Sequence, residues 1–301
     1  MKLGVALSGG GIRGIAHAGA LKALEENNIN IDAIGGTSSG SLIAALYAMG
    51  YSPYYIYILF KRYAKNLTDI GSTSILSGIG NFVINKKIVL SGLKTGENLE
   101  EAYNHIASRK GIQKISDITK MPLVIPSVDV KTSKKFIFTN HIPKHCENQS
   151  QYITDITIGK AVRASSSFPA VFCPCDFKEY KFLDGGILDN IPVMEVKKQG
   201  VDKVIAINFK ADDVDENSNM MDIAMRTIDI MGNKISEKSL EISDFILTIS
   251  TDKTGLLDVE KLDKCYKYGY RAVMENLESI KEILEYNIKT KERKESDYKW
   301  K

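Results

Sequence analysis

Gly36-Thr37-Ser38-Ser39-Gly40 spells G-x-S-x-G, the spacing that seats a nucleophilic serine on a sharp turn from a strand into a helix. Gly36 and Gly40 let the neighbouring backbone pass close by, and a helix N-terminus favours negative charge on Ser38. A serine hydroxyl needs a base, and the usual one is histidine. In hydrolases with this elbow the order along the chain is serine, acid, histidine. Here all four histidines (His17, His105, His141, His145) precede the best acid candidate, Asp184, so that order fails. Two readings remain: a carboxylate alone activates Ser38, or the serine is a bystander. Ser39 is the structural alternative, capping or lining the helix start.

Two further glycine motifs belong to the same problem. Gly9-Gly10-Gly11-Ile12-Arg13-Gly14 is a literal G-x-G-x-x-G between a strand and a helix. That is the setting of a dinucleotide site, but the ribose-binding acid expected about 20 residues on is replaced by Gly35-Gly36-Thr37. No G-K-[ST] follows, which excludes a P-loop. Successive N–H groups at a helix start also hold an oxyanion, and that use fits this loop. The third motif is Asp184-Gly185-Gly186, an acid after an apolar pair. Asp-Gly is a common turn dipeptide, so this motif alone says little. Asp189 is a second carboxylate nearby, placed to cap the next helix instead.

The elements that must position these residues are legible at the N-terminal end. Lys2 to Leu7 reads as a buried strand, Gly14 to Asn27 as a helix, Ile31 to Ile34 as a strand and Ser39 to Met49 as a buried helix. Such a β-α-β unit predicts a parallel sheet with helices on both faces. Further on, Pro53 opens an aromatic helix, and Glu97 to Ser108 is helical with Thr95 or Asn98 as its cap. Lys131-Thr132-Ser133 joins two β-rich runs as a hairpin. Ile158 to Ser165 reads as a short helix, Val201 to Asn208 and Phe245 to Ile249 as strands, Asp222 to Ile242 as a helix, and Val259 to Ile288 as one long helix. No linker or repeat divides the chain. The fold class expected is a three-layer α/β/α sandwich with a mainly parallel central sheet and a serine nucleophile elbow.

Composition bounds the partners. Across 301 residues, 44% are hydrophobic and 26% charged, and the net charge is +3. That is globular composition, and its charge gives nucleic-acid binding no support. Ile288 to Lys301 holds six Lys/Arg against three acids and reads as a basic polar tail. The four cysteines (Cys146, Cys173, Cys175, Cys265) lack metal-ligand spacing, which suggests a reduced protein. No signal peptide and no membrane-spanning run is visible. The expectation is a cytoplasmic or peripheral membrane protein, with export by a route lacking a cleaved signal left open.

A G-G-G-x-R-G loop, a G-x-S-x-G elbow and a late D-G-G, in that order, resemble the patatin-like phospholipase family. Ala164-Ser165-Ser166-Ser167-Phe168-Pro169 is similar to that family's A-S-x-x-x-P block, and the resemblance covers about residues 3 to 210. It implies that Ser38 is the nucleophile and Asp184 its general base, without histidine. It implies an oxyanion site on the backbone of Gly9, Gly10 and Gly11, chiefly the last two, with Arg13 bracing the loop. The substrate implied is a phospholipid or other lipid ester, at a membrane surface, with no metal and no cofactor. Residues 1–288 would be the acyl hydrolase domain and 289–301 the tail. Tyr54, Tyr55, Ile56, Ile58, Leu59 and Phe60, together with the glycine-rich stretch to Leu93, are candidates for an acyl channel or lid. Met220, Met221, Met225 and Met231 offer a lipid-facing surface or plain packing. The alternatives are a thioesterase or small-ester hydrolase in which His141 or His145 assists, and a nucleotide- or phosphate-binding protein using the glycine loop.

Overall fold

The computed structural model describes residues 1–69, 95–144, 149–169, 172–210, 220–252, 254 and 258–285. The lid candidates within 70–94, His145, Cys146 and the 289–301 tail lie outside the described residues. The strands are β1 (Leu3–Leu7), β2 (Ala33–Gly36), β3 (Leu123–Asp129), β4 (Lys134–Thr139), β5 (Tyr152–Ile153), β6 (Cys175–Phe177), β7 (Tyr180–Asp184), β8 (Lys203–Phe209) and β9 (Phe245–Ile249). The helices are α1 (Ile15–Glu26), α2 (Ser39–Ala48), α3 (Pro53–Asp69), α4 (Glu97–Ser108), α5 (Ile158–Ser165), α6 (Val193–Lys197), α7 (Met220–Glu241) and α8 (Leu262–Glu275).

The strands join in one nine-stranded sheet ordered β5-β4-β3-β2-β1-β8-β9, with the β6–β7 hairpin attached to β3 through β7. β2, β1, β8 and β9 run parallel, and β3 runs parallel to β2. The central strands are buried on both faces, so their residues alternate between two cores. Val5, Leu7, Ile34, Ile205 and Ile207 join the large cluster that takes in α1, α2, α3, α4, α5 and α8. Ala6, Ala33, Val204 and Ala206 face the smaller cluster with Val193 and Val196 of α6. The expected three layers and mainly parallel sheet are present, and the 131–133 turn does close the β3–β4 hairpin.

Three local expectations change. The N-cap position of α4 is Gly96 in a left-handed conformation (φ 76°) rather than Thr95 or Asn98, although Thr95 Oγ1 accepts from the Glu97 N–H at 3.4 Å. A left-handed residue there turns the chain into the helix, and glycine has no Cβ to resist it. The helix expected over Val259 to Ile288 begins at Leu262 and breaks at Asn276 before resuming over 277–285. Asn276 turns its own side chain back to the Ala272 carbonyl at 2.8 Å, a local bond that competes with helix continuation. The aromatic run of α3 divides among several environments. Ile56 is core, Tyr54 and Ile58 are exposed, and Tyr55 and Leu59 line a separate cavity of about 420 Å³ between α3 and α4.

Candidate active site

The elbow forms as its sequence requires. Ser38 sits between β2 and α2 at φ 53°, ψ −123°, a region that costs a residue with a side chain of order 1–3 kcal/mol. The surrounding glycines permit the turn: a Cβ at Gly36 would lie 2.3 Å from the Gly40 carbonyl oxygen, and one at Gly40 would lie 2.6 Å from that of Leu7. Strain of this kind persists only where the surroundings hold it, and here the Ser38 N–H donates to Ser165 Oγ at 3.1 Å.

Asp184 reaches the elbow through strand pairing rather than chain order. β2 pairs with the first residues of β3 (Ile34 with Leu123, Gly35 with Val124). β7 pairs with the far half of β3 and runs the other way (Ser127 with Asp184, Asp129 with Phe182). The two strands therefore lie end to end along β3, and their C-terminal ends meet. Ser38 follows one end and Asp184 is the other. Gly185 fits the joint, because a Cβ there would lie 2.4 Å from the Pro126 carbonyl oxygen and 3.0 Å from Thr37 Cγ2. The Asp184 N–H donates to the Ser167 carbonyl at 3.1 Å. Ser165 and Ser167 thus hold both residues, a role that the A-S-x-x-x-P spacing marks without explaining.

The Asp184 carboxyl is buried. Burial pushes its pKa up from 3.8 to about 6, against the lowering effects of the nearby Ser38 hydroxyl and the Gly186 amide. Oδ1 accepts from the Gly186 N–H at 2.8 Å. Oδ2 has no hydrogen-bond partner at normal distance. Ser38 is therefore close enough to act on the carboxyl but not tightly bonded to Oδ2, the loose geometry common before substrate binds. Asp189 caps no helix. Its Oδ2 takes Lys135 Nζ at 2.7 Å, and its carbonyl accepts from Thr37 Oγ1 at 2.8 Å.

Ser38, Asp184, Gly186 and Gly9, Gly10 and Gly11 open on one cavity of about 330 Å³. Its other walls are largely apolar, with Leu42, Phe60, Leu99, Phe172, Ile187 and Phe209 among them. Arg13 also lines it and is buried rather than a surface residue. Its Nε donates to the Gly10 carbonyl at 3.3 Å, and its guanidinium carbon lies 5.5 Å from the Phe209 ring centre. Gly14 does not reach the cavity and instead packs against Ser39. The Gly9 N–H is already bonded to Asn190, which also lines the cavity and carries no signal in the motifs above. Of the channel candidates on α3 only Phe60 lines this cavity, joined by Tyr63 and Ala64. Met231 lines it and is 58% exposed, while the side chains of Met220, Met221 and Met225 lie outside those described.

Among the described residues no histidine lines the cavity. His17 is fully buried behind the glycine loop with Nε2 2.9 Å from the Ser8 carbonyl oxygen, and burial pulls its pKa down to about 4. His141 pairs with Gln199 at 2.9 Å and is outside the cavity lining. Among the described residues no helix is long and apolar enough to cross a membrane, and no group of acids, histidines and cysteines is arranged to hold a metal ion.

Comparison with known proteins identifies the family of this chain. The sequence profile of the family described as Patatin-like phospholipase matches residues 5–197. The "Lysophospholipase NTE1" of Lodderomyces elongisporus is 27% identical over 298 residues, covering 89% of this chain but only 18% of that protein. The chain thus spans less than a fifth of that relative's length. The uncharacterised protein YqhO of Bacillus subtilis is 27% identical over 212 residues, 67% of this chain and 69% of YqhO. Among solved structures, VipD from Legionella pneumophila superposes with a TM-score of 0.50 at 16% identity, over 92% of this chain and 67% of VipD, a likeness of fold. With the profile matching most of the chain, including the elbow and Asp184, this protein belongs to the patatin-like phospholipase family.

Proposed function

We propose that this protein is a lipid acyl hydrolase in which Ser38 is the nucleophile and Asp184 the general base. The observation that carries the reading is the meeting of Ser38 with a buried, proton-accepting Asp184 at the end of a largely apolar cavity. Asp184 takes the hydroxyl proton as Ser38 Oγ bonds to the ester carbonyl carbon. The carbonyl oxygen becomes an oxyanion beside Gly10 and Gly11, where a single well-placed donor is worth roughly 3–4 kcal/mol. The C–O bond of the ester breaks, the leaving alcohol takes the proton from Asp184, and an acyl-serine remains. Water then gives a proton to Asp184 and attacks the acyl carbon, the bond to Ser38 Oγ breaks, and Oγ takes the proton back from Asp184 as the fatty acid leaves.

The substrate is a phospholipid or lysophospholipid taken from a membrane surface. The printed name of the fungal relative, Lysophospholipase, supports that class. So does the cavity mouth, where Met231 is both wall and exposed surface, and Leu188, Met194 and Ile230 stand exposed on the neighbouring segments. The test is fatty-acid release from phospholipid and lysophospholipid vesicles. Wild type should release it, Ser38→Ala and Asp184→Asn should each lose at least roughly a thousandfold, and His141→Ala should match wild type. Release that survives Ser38→Ala would refute the mechanism.

A further inference from the structure

The first amide of the glycine loop is not free to bind an oxyanion. The Gly9 N–H donates to Asn190 Oδ1 at 3.2 Å and to the Asn190 carbonyl oxygen at 3.3 Å. The fit is close: a Cβ on Gly9 would stand 2.7 Å from Asn190 Oδ1. The same carboxamide touches two more segments. A Cβ on Gly186 would lie 3.1 Å from its Oδ1, and one on Gly232 of α7 would lie 3.5 Å from its Nδ2. One residue earlier, the Asp189 carbonyl holds Thr37 of the elbow, and the Asp189 carboxylate is held by Lys135 of β4. Residues 189 and 190 therefore tie the elbow and the glycine loop to the segment that begins at Asp184.

We infer that Asn190 is a positioning residue for acyl transfer at Ser38. By holding Gly9 it leaves Gly10 and Gly11 as the loop residues offered to the oxyanion, and it sets their distance from Asp184. The inference rests on the acyl hydrolase reading. Its physical basis is that donors stabilise a developing charge only when their position is fixed beforehand, and that displacement by an ångström can cost a hundredfold. The bond is made before substrate arrives, so losing it should slow the chemical step and leave ground-state lipid binding intact.

The probe is an alkyl fluorophosphonate, which reacts as Ser38 Oγ bonds to phosphorus, fluoride leaves and the hydroxyl proton passes to Asp184. A non-hydrolysable ether lipid of the same chain length reads ground-state binding. Asn190→Ala should label roughly ten- to a hundredfold more slowly and bind the ether lipid within about threefold of wild type. Gly9→Ala should also label slowly, because its new methyl would stand 2.7 Å from Asn190 Oδ1 and 3.2 Å from Ser38 Cβ. Added to Asn190→Ala, the same change should cost clearly less than it does alone, since of its two close contacts only the 3.2 Å one with Ser38 Cβ remains. Hydrogen exchange at the Gly9 amide should speed up in Asn190→Ala and stay slow in Asn190→Asp, which keeps an acceptor at the same reach. Fast exchange at Gly9 in a folded Asn190→Asp would overturn the inference even where Asn190→Ala fails to fold. Wild-type labelling by Asn190→Ala, equal losses of labelling and lipid binding, or independent effects of the two substitutions would overturn the inference. A wild type that is not labelled at Ser38 would instead refute the hydrolase reading itself.

Discussion

An aspartate at its ordinary pKa is a poor base for a serine hydroxyl, and burial is what alters Asp184. With its pKa raised to about 6, the carboxylate accepts a proton more readily yet is still mostly ionised at neutral pH. Fatty-acid release (as kcat/KM) should fall about tenfold per pH unit below about 6 and level off above it, with no rise assignable to a histidine. The same shift has a price in stability. The folded-state pKa lies above the unfolded value of 3.8, so the folded protein binds the proton more tightly. The resulting stability is complete below about pH 4 and is lost as pH rises through about 6. Asp184→Asn removes that loss: denaturant unfolding near pH 8 should show it more stable by roughly 2–3 kcal/mol, with little difference near pH 4. Equal stability of the two proteins at both pH values would mean that the carboxyl is not desolvated as its burial indicates. Ser38 and Asp184 could be singled out as candidates in the sequence because glycines mark their turns. Asn190 was not, because its role lies in a contact with Gly9 across 181 residues of chain.

Elements differ in how much they show. The β1–α1–β2–α2 run was legible in order and type, since apolar runs, glycines and helical spacing agree locally, although β2 runs two residues later (Ala33–Gly36) than the 31–34 reading. β7 was not, although it delivers the acid: it is five residues long, half-exposed at Tyr180 and Lys181, and defined by antiparallel pairing with β3. Such pairing is non-local, and a short strand without alternation leaves little pattern to read. The tight packing of α1 on α8 was equally hidden, because its cause is two glycines on separate helices. A Cβ at Gly19 would lie 1.9 Å from the Tyr266 carbonyl oxygen, and one at Gly269 would lie 1.8 Å from that of Ala16. These are backbone atoms that cannot swing aside, so the helices must separate. Gly269→Ala should lower stability by roughly 1–3 kcal/mol, seen as a drop in the thermal midpoint. Because α8 lies outside the Ser38 cavity lining, labelling of Ser38 in the folded fraction should be unchanged. An unchanged midpoint would show that the helices can part at no cost.

At the scale of the whole molecule, the question under the acyl hydrolase proposal is how a lipid would leave a bilayer for a cavity of about 330 Å³. α7 packs on α6 and on the turn after Asp184, so the exposed side chains of Leu188, Met194, Ile230 and Met231 stand on adjoining segments, with Met231 in the cavity wall. Large apolar side chains left in water are costly in an ordinary surface and useful where the surface meets lipid. Each inserted into the bilayer boundary would contribute about 1–2 kcal/mol, on the order of tenfold in vesicle affinity. The net charge of +3 is small, so the apolar term should outweigh attraction to anionic headgroups. Met194→Glu and Ile230→Glu leave the cavity lining untouched. Each should lower vesicle sedimentation and vesicle hydrolysis roughly tenfold. Hydrolysis of a short-chain ester in free solution should match wild type, because that substrate reaches Ser38 without a surface. Equal losses on both substrates would mean that these residues support the fold rather than the membrane contact, and no loss on vesicles would mean that the lipid enters elsewhere.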